Sequence, residues 1–292
     1  MYSIGIDAGG TKISAGLLKN GIIQKKIKIP TEQEKGKQRI VTNLLNVISS
    51  VSEGIDKKDI EKIGIGLPGP IDHEKGILKV APNIKCLKDF PVKDILEVAS
   101  GIPVVVENDA KCAALAESVY FNCKNLLCFT LGTGLGGGII IDGKIYHGVD
   151  YAGELGHMVI DYKGHKCSCG NTGCLEEYCS GRGIERLSKK YFGKKIKPLE
   201  LQRMAEKGDK KAIKLHEEFG TYLGIGFASY VNIFNPEMIV IGGGVGRAWK
   251  LFLPSAIKEM KKRGFRVMTQ NIKVVPSELE VDEAGVIGAS ML

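Results

Sequence analysis

The 292-residue chain lacks any apolar run of transmembrane length, so a membrane-spanning protein is not expected. It shows no signal peptide, and its cysteines outside one cluster sit mostly in apolar runs. That pattern fits a reduced, cytoplasmic chain. The Walker A sequence G-x-x-x-x-G-K-[ST] is missing, which removes the P-loop class of nucleotide binders. A dinucleotide fingerprint is missing too. Its nearest match, Gly242-Gly243-Gly244-Val245-Gly246, follows a strand and precedes a helix, but its glycine spacing is wrong and no second βαβ unit follows. The formal net charge is +8, yet the lysines are scattered or fall in short helical clusters such as Lys57-Lys58 and Lys210-Lys211. There is no basic stripe interleaved with aromatics, so no nucleic-acid partner is expected, although anionic substrates would gain mildly from the positive field.

What remains is ordinary globular composition, 43% hydrophobic and 25% charged, in a length that suits one large domain or two of common size. The 38 glycines are concentrated in a few loops, and those loops are where function is to be sought. Strands are expected at 2–7, 12–18, about 21–29, 63–67, 103–107, 126–131, 139–141 and 238–241. Helices are expected at 38–54, 108–121, 175–191, 198–206, 209–235 and 248–263, with a short one from 282. Strands alternate with helices, which gives an α/β fold; hairpins at both glycine turns make the sheets mixed.

The hairpin is repeated. A strand, a glycine turn bearing Thr and a returning strand occur at 4–17 and again at 126–141. Successive backbone N–H groups in such turns form an anion nest, and two nests can clamp a polyphosphate. Asp7 ends the first strand. It is either a turn former or a carboxylate that organises hydrated magnesium beside phosphates. Asp109 follows an apolar strand and opens a helix. It is either an N-cap or, at the C-terminal edge of a sheet, a proton acceptor for a substrate hydroxyl. Gly242–Gly244 signal either close approach to a flat nucleoside or tight strand–helix packing.

The densest chemistry lies between His157 and Glu176, in E-L-G-H followed by C-S-C-G-N-T-G-C-L-E. His157, Cys167, Cys169 and Cys174 offer three thiolates and one imidazole, a set suited to tetrahedral zinc. His165 rivals His157, and Cys179 rivals Cys174. Glu154 and Glu176 bracket the set, so a metal-stapled loop would fix two carboxylates for gripping a polar ligand.

Together D-A-G-G-T-K (7–12), L-G-T-G-L-G-G-G (131–138), E-L-G-H (154–157) and the cysteine motif (167–176) resemble the ROK family of sugar kinases and repressors, most closely its glucokinases. The resemblance runs through nearly the whole chain. It implies an actin-like ATPase (ribonuclease H-like) fold of two α/β lobes with a cleft between them. A small lobe would span 1–109, with the helix 282–292 returning to it, and a large lobe would span 110–281 with the zinc-binding loop. It implies Asp109 as general base on the sugar 6-hydroxyl, and Asn83, Asn108, Glu154, His157 and Glu176 as sugar ligands. It implies Asp7, Gly9, Gly10, Thr11 and Lys12 as the first nucleotide turn, Gly132, Thr133 and Gly134 as the second, and Gly242, Gly243 and Gly244 on the adenosine side. The zinc ligands it implies are His157, Cys167, Cys169 and Cys174. No aromatic stands in Asn83–Leu87, where many glucokinases of the family carry one.

The expected activity is ATP-dependent phosphorylation of glucose, with Mg2+ on the nucleotide and Zn2+ structural, in a homodimer or homotetramer. Alternatives are a kinase for mannose, fructose, N-acetylmannosamine or N-acetylglucosamine, and a non-catalytic sugar-sensing regulator. Family repressors carry a DNA-binding helix-turn-helix before the first phosphate motif, and this motif begins at Asp7, so the regulator is disfavoured.

Overall fold

The structure, a computed structural model, describes residues 1–81, 83–84 and 86–292; Pro82 and Lys85 lie outside the described residues. In chain order the elements are β1 (Tyr2–Ala8), β2 (Lys12–Lys19), β3 (Ile22–Pro30), α1 (Lys37–Val51), β4 (Ile60–Leu67), β5 (Ile71–Asp72), β6 (Ile77–Val80), β7 (Lys88–Pro91), α2 (Val92–Ser100), β8 (Val104–Asn108) and α3 (Asp109–Tyr120). They continue with β9 (Leu126–Leu131), β10 (Leu135–Ile141), β11 (Lys144–Ile145), α4 (Gly181–Phe192), α5 (Pro198–Glu206), α6 (Lys210–Phe234), β12 (Met238–Gly242), α7 (Trp249–Arg263), α8 (Arg266–Thr269), β13 (Lys273–Pro276) and α9 (Val281–Met291). None of the described helices is long and apolar enough to cross a membrane.

The chain divides into two compact units. The first holds Met1–Asn122, Gly138–Gly153 and Leu279–Leu292; the second holds Cys123–Gly137 and Glu154–Glu278. The first boundary thus falls at Asn122 and not at residue 109, because α3 packs against α9, β4 and β8 of its own unit.

In the first unit the sheet order is β3-β2-β1-β4-β8, with β3, β2 and β1 antiparallel and β1, β4 and β8 parallel. Side chains alternate across a sheet. Ile4 and Ile6 of β1 and Ile63 and Ile65 of β4 enter one core with Ile40, Leu44, Val47 and Val51 of α1, which recur on one helical face. The intervening Gly5 and Gly64 face the other way. There the carbonyls of Val286 and Ala289 lie where a Cβ would be, so α9 rests directly on the strands. A small antiparallel sheet, β5-β6-β7, and the helix α2 complete this unit. The small sheet is not signalled in the sequence, since strands of two to four residues carry no readable period.

A second large sheet has the order β11-β10-β9-β12-β13; its strands β9, β12 and β13 are parallel and belong to the second unit. Helix α6 covers this sheet through Phe227, whose ring centre is 5.0 Å from that of Phe129 on β9. It meets α7 through Phe219 and Phe252, at 5.1 Å. Two expectations are corrected. Residues 175–191 are not one helix: a 3-10 turn covers Leu175–Glu177, and α4 starts anew where the Ser180 hydroxyl accepts from the Gly183 N–H. The glycine run 132–138 is not all turn, because Gly136–Gly138 already lie in β10; at Gly137 a Cβ would meet Leu155 Cγ at 2.8 Å.

The contact of α9 with the sheet gives a direct test. Gly64→Ala forces a methyl onto the Ala289 carbonyl and should cost about 1–3 kcal/mol, the usual scale of overpacking. Urea unfolding measures it; an unchanged midpoint would mean that α9 shifts freely away from β4.

Candidate active site

Strand register in the first unit sets a row of acids. Asp7 pairs with Gly66, Gly66 with Glu107, and Leu67 with Asn108. Asp7, Asn108 and Asp109 therefore stand at the C-terminal edge of three parallel strands, where open α/β sheets present groups to ligands. Gly66 allows the crowding: a Cβ there would lie 3.2 Å from the Asp109 Cα. Asp7 also abuts Gly285 of α9, whose Cβ would lie 2.9 Å from its Cγ. Withdrawal from water, then the negative charge of Asp109, push the Asp7 carboxyl up to about 7, against the pull of Lys12.

The cap of α3 is Asn108 and not Asp109. Asn108 Oδ1 accepts from the N–H groups of Ala110 and Lys111, at 3.0 and 3.1 Å, and its Nδ2 donates to the Gly69 carbonyl at 3.2 Å. Asp109 occupies the first helical position, its Oδ1 2.8 Å from the Ala110 nitrogen. The first glycine turn is pinned by its carbonyls: Gly9 O accepts from the Thr31 hydroxyl at 2.6 Å, Gly10 O from Gln33 Nε2 at 2.8 Å and Thr11 O from the Thr31 N–H at 3.1 Å. Asn83 is exposed beside it; a Cβ at Gly10 would come within 2.5 Å of the Asn83 carbonyl. Lys12 turns its ammonium to Asp282 at the start of α9, and Lys28 binds the same carboxylate at 2.6 Å, which together hold Asp282 down at about 2.

Five residues of this unit escaped the sequence reading. Glu107 is buried and its Oε1 accepts from the Asn108 N–H at 2.7 Å. Its Oε2 meets His147 Nε2 at 2.5 Å, and Lys111 lies 3.8 Å away. The His147 ring stacks on that of His73 at 4.1 Å, and His73 bonds Asp150 at 3.0 Å. The pairs His147–Glu107 and His73–Asp150 join residues 40 and 77 positions apart in the chain.

In the second unit Glu176 is the meeting point. It is buried; one oxygen accepts from the Leu135 N–H at 2.9 Å and the other from Arg182 Nη2 at 2.6 Å. The Gly132–Gly134 turn is closed by Gly132 N–H on the Gly134 carbonyl, and Gly132 O accepts from the Gly181 N–H at the start of α4, at 2.8 Å. The loop Gly242–Gly244 lies beside this turn, with Val245 N–H on the Leu131 carbonyl at 2.9 Å. Gly243 is required there on two counts. Its φ is +85°, and a Cβ would lie 2.7 Å from the Leu131 nitrogen. Tight packing thus accounts for Gly243, while Gly244 borders open space.

The donors His157, Cys167, Cys169 and Cys174 lie within 4.8 Å of one another. The Cys169 and Cys174 sulfurs are 3.6 Å apart, as are Cys167 Sγ and His157 Nδ1. Metal–sulfur bonds of about 2.3 Å place tetrahedral sulfurs about 3.8 Å apart, so the set fits a tetrahedral dication. Burial pushes the Cys174 thiol up to about 12 and the Cys167 thiol up as well, a cost that a cation would lift. His165 turns elsewhere, its ring centre 5.3 Å from that of Tyr178, and Cys179 donates to the Phe219 carbonyl. Glu154 is exposed, three residues before His157.

The raised Asp7 carboxyl sets a pH dependence. From about pH 4 to pH 7 the unfolded chain ionises this group while the folded chain keeps its proton, so stability falls as pH rises and the loss is complete above about pH 7. Asp7→Asn removes the titration. Without ligands the variant should melt above wild type at about pH 8, with a gap that closes towards pH 4. A gap independent of pH in thermal melts would show that Asp7 titrates normally.

A family model described as ROK family matches residues 3–292. A glucokinase from Halalkalibacterium halodurans is 37% identical over 100% of this chain and 94% of its own length. An N-acetyl-D-glucosamine kinase from Aliivibrio salmonicida is 34% identical over 99% of this chain and 98% of its own. The crystal structure of a ROK hexokinase from Thermus thermophilus superposes with TM-score 0.86 at 35% identity, covering 100% of this chain and 97% of that one. A ROK family glucokinase from Streptomyces griseus, in complex with glucose and AMPPNP, superposes with TM-score 0.83 at 33% identity, over 100% and 98%.

Proposed function

The chain belongs to the ROK family, and we propose that it is an ATP-dependent hexose kinase, a glucokinase that phosphorylates glucose at its 6-hydroxyl to give glucose 6-phosphate. The observation that carries this reading is the pair of acids, Asp7 and Asp109, at the C-terminal edge of one sheet in a chain similar from end to end to glucokinases. Phosphoryl transfer needs little covalent chemistry from a protein. It needs a positioned hydroxyl and compensated phosphate charge.

Asp109 accepts the proton of the 6-hydroxyl. The capping work at α3 is done by Asn108, which supports a chemical use for the neighbouring carboxylate. Asn83, Asn108, Glu154, His157 and Glu176 bind sugar hydroxyls. The turns Gly9–Lys12 and Gly132–Gly134 take phosphates on backbone N–H groups, and Gly242–Gly244 take the adenosine. Asp7 orients a hydrated Mg2+; its raised carboxyl is the mark of a group that gains from a nearby cation. Bound magnesium supplies positive charge to the phosphates. His157 with Cys167, Cys169 and Cys174 holds a structural Zn2+. The imidazole nitrogen toward Cys167 is Nδ1, which leaves Nε2 for a sugar hydroxyl.

A kinase for an N-acetylhexosamine is the second reading, favoured by the similarity to an N-acetyl-D-glucosamine kinase. A coupled assay of ATP consumption across glucose, mannose, fructose, N-acetylglucosamine and N-acetylmannosamine decides between them. Highest kcat/KM on an N-acetylhexosamine would transfer the assignment to that class.

Asp109→Asn separates chemistry from architecture. Turnover should fall at least about 10²-fold, with a much smaller change in glucose affinity and melting temperature. Turnover within a few-fold of wild type would remove Asp109 as base.

Zinc makes a second forecast. Purified protein should hold about one zinc per chain. Cys169→Ser and His157→Ala should lower the metal content and the melting temperature, and His165→Ala should not. Full zinc in the His157→Ala protein, read by metal analysis, would overturn the donor set.

A further inference from the structure

Two arginines of α4, one helical turn apart, hold two successive glutamates. Arg182 Nη2 donates to Glu176 Oε1 and Arg186 Nη2 to Glu177 Oε2, both at 2.6 Å. The pairs look alike and differ in what lies beyond them. Arg186 also donates to the Glu177 backbone carbonyl, so both of its bonds stay on that one residue. Glu176 uses its other oxygen to accept the Leu135 N–H, the first amide after the Gly132–Gly134 turn. Gly134 lies so close to Glu176 that its absent Cβ would overlap Oε2 and sit 3.9 Å from Arg182 Nη2. A buried carboxylate therefore stands against the turn that the proposed function assigns to nucleotide phosphate. Unneutralised, that charge would repel a polyphosphate.

We propose that Arg182 is a positioning residue for nucleotide binding, acting through Glu176. Its guanidinium cancels the carboxylate charge beside the turn, and it fixes one oxygen so that the other keeps the Leu135 amide in place. This rests on the reading of Gly132–Gly134 as a phosphate turn. It adds a residue outside the glycine motif and outside the sugar ligands, and it makes Glu176 a link between the two.

Calorimetric titration of the full chain with AMPPNP and Mg2+, without sugar, tests it. Absence of nucleotide binding by wild type would defeat the proposed function itself. Given wild-type binding, Arg182→Met should weaken it about tenfold, and Arg182→Lys, which keeps the charge, should recover most of the loss. Arg186→Met is the control. It breaks the twin ion pair and should lower the melting temperature without changing AMPPNP affinity. Glu176→Gln removes the charge that Arg182 answers, so Arg182→Met should have almost no further effect in that background. Should Arg182→Met fail to fold, Arg182→Gln is read in its place. Wild-type affinity in the Arg182 variant would overturn the proposal. An equal loss in the Glu176→Gln background would also overturn it, since the arginine would then act on the nucleotide directly.

Discussion

Gly5 and Gly64 let the Val286 and Ala289 carbonyls rest on β1 and β4, and much of the first unit follows from how close α9 can come. At that distance Asp282 in its first turn takes the ammonium groups of Lys12, beside the glycine loop, and of Lys28 on β3. Its Gly285 covers the Asp7 carboxyl, and the loss of water there helps to raise that group towards neutrality. The same device recurs at Gly66 beneath Asp109. Acids are thus crowded at a strand edge by backbone contact, and the crowding leaves them poised to gain from a cation.

The second unit solves a different problem with charge-assisted hydrogen bonds. Such bonds contribute roughly 1.5–3 kcal/mol when shielded. Glu176 qualifies at the Leu135 amide, being buried; its bond to Arg182 is worth less, because that side chain is 46% exposed and screened by water. The arginine therefore matters more for the local field at the turn than for stability. Glu177 with Arg186 secures the neighbouring residue of the same short helical turn, so the strand end at Leu135 and the start of α4 are tied to one glutamate pair.

How far the sequence discloses this depends on range. Periodic apolar spacing gives α6 and α7 within one residue at each end and α1 within three, and continuous apolar runs give β1, β9 and β12. The donor set at 157–174 is legible because its residues are rare and closely spaced; choosing His157 over His165 took the resemblance, and the ring geometry of His165 against Tyr178 agrees with that choice. Glu107, His147, His73 and Asp150 are common residue types whose partners lie 40 to 77 positions away, so no local pattern marks them. Asn108 as cap was hidden by a one-residue ambiguity at a strand–helix junction. Gly243 showed that a glycine needed for packing and one needed for ligand approach leave the same trace in sequence.

The segment 161–173 has almost no apolar side chains beyond Tyr162, which is 78% exposed. Fixing each of its residues costs about 1–2 kcal/mol of conformational entropy, and little hydrophobic burial beyond Cys167 is on hand to offset that. Two isolated bridges, Val159 to Cys174 and Lys166 to Thr172, are too few to do so. A dication on the clustered thiols and imidazole, as proposed, would supply what is missing, since metal binding to such a set is itself folding free energy. Glu176, although its carboxylate lies near Cys167, has anchors of its own in Leu135 and Arg182. Removal of the cation should therefore release His157 and the loop first, and leave the carboxylate at the glycine turn in place. The sugar contacts proposed for His157 would then depend on metal content, and the backbone of the proposed phosphate turn would not.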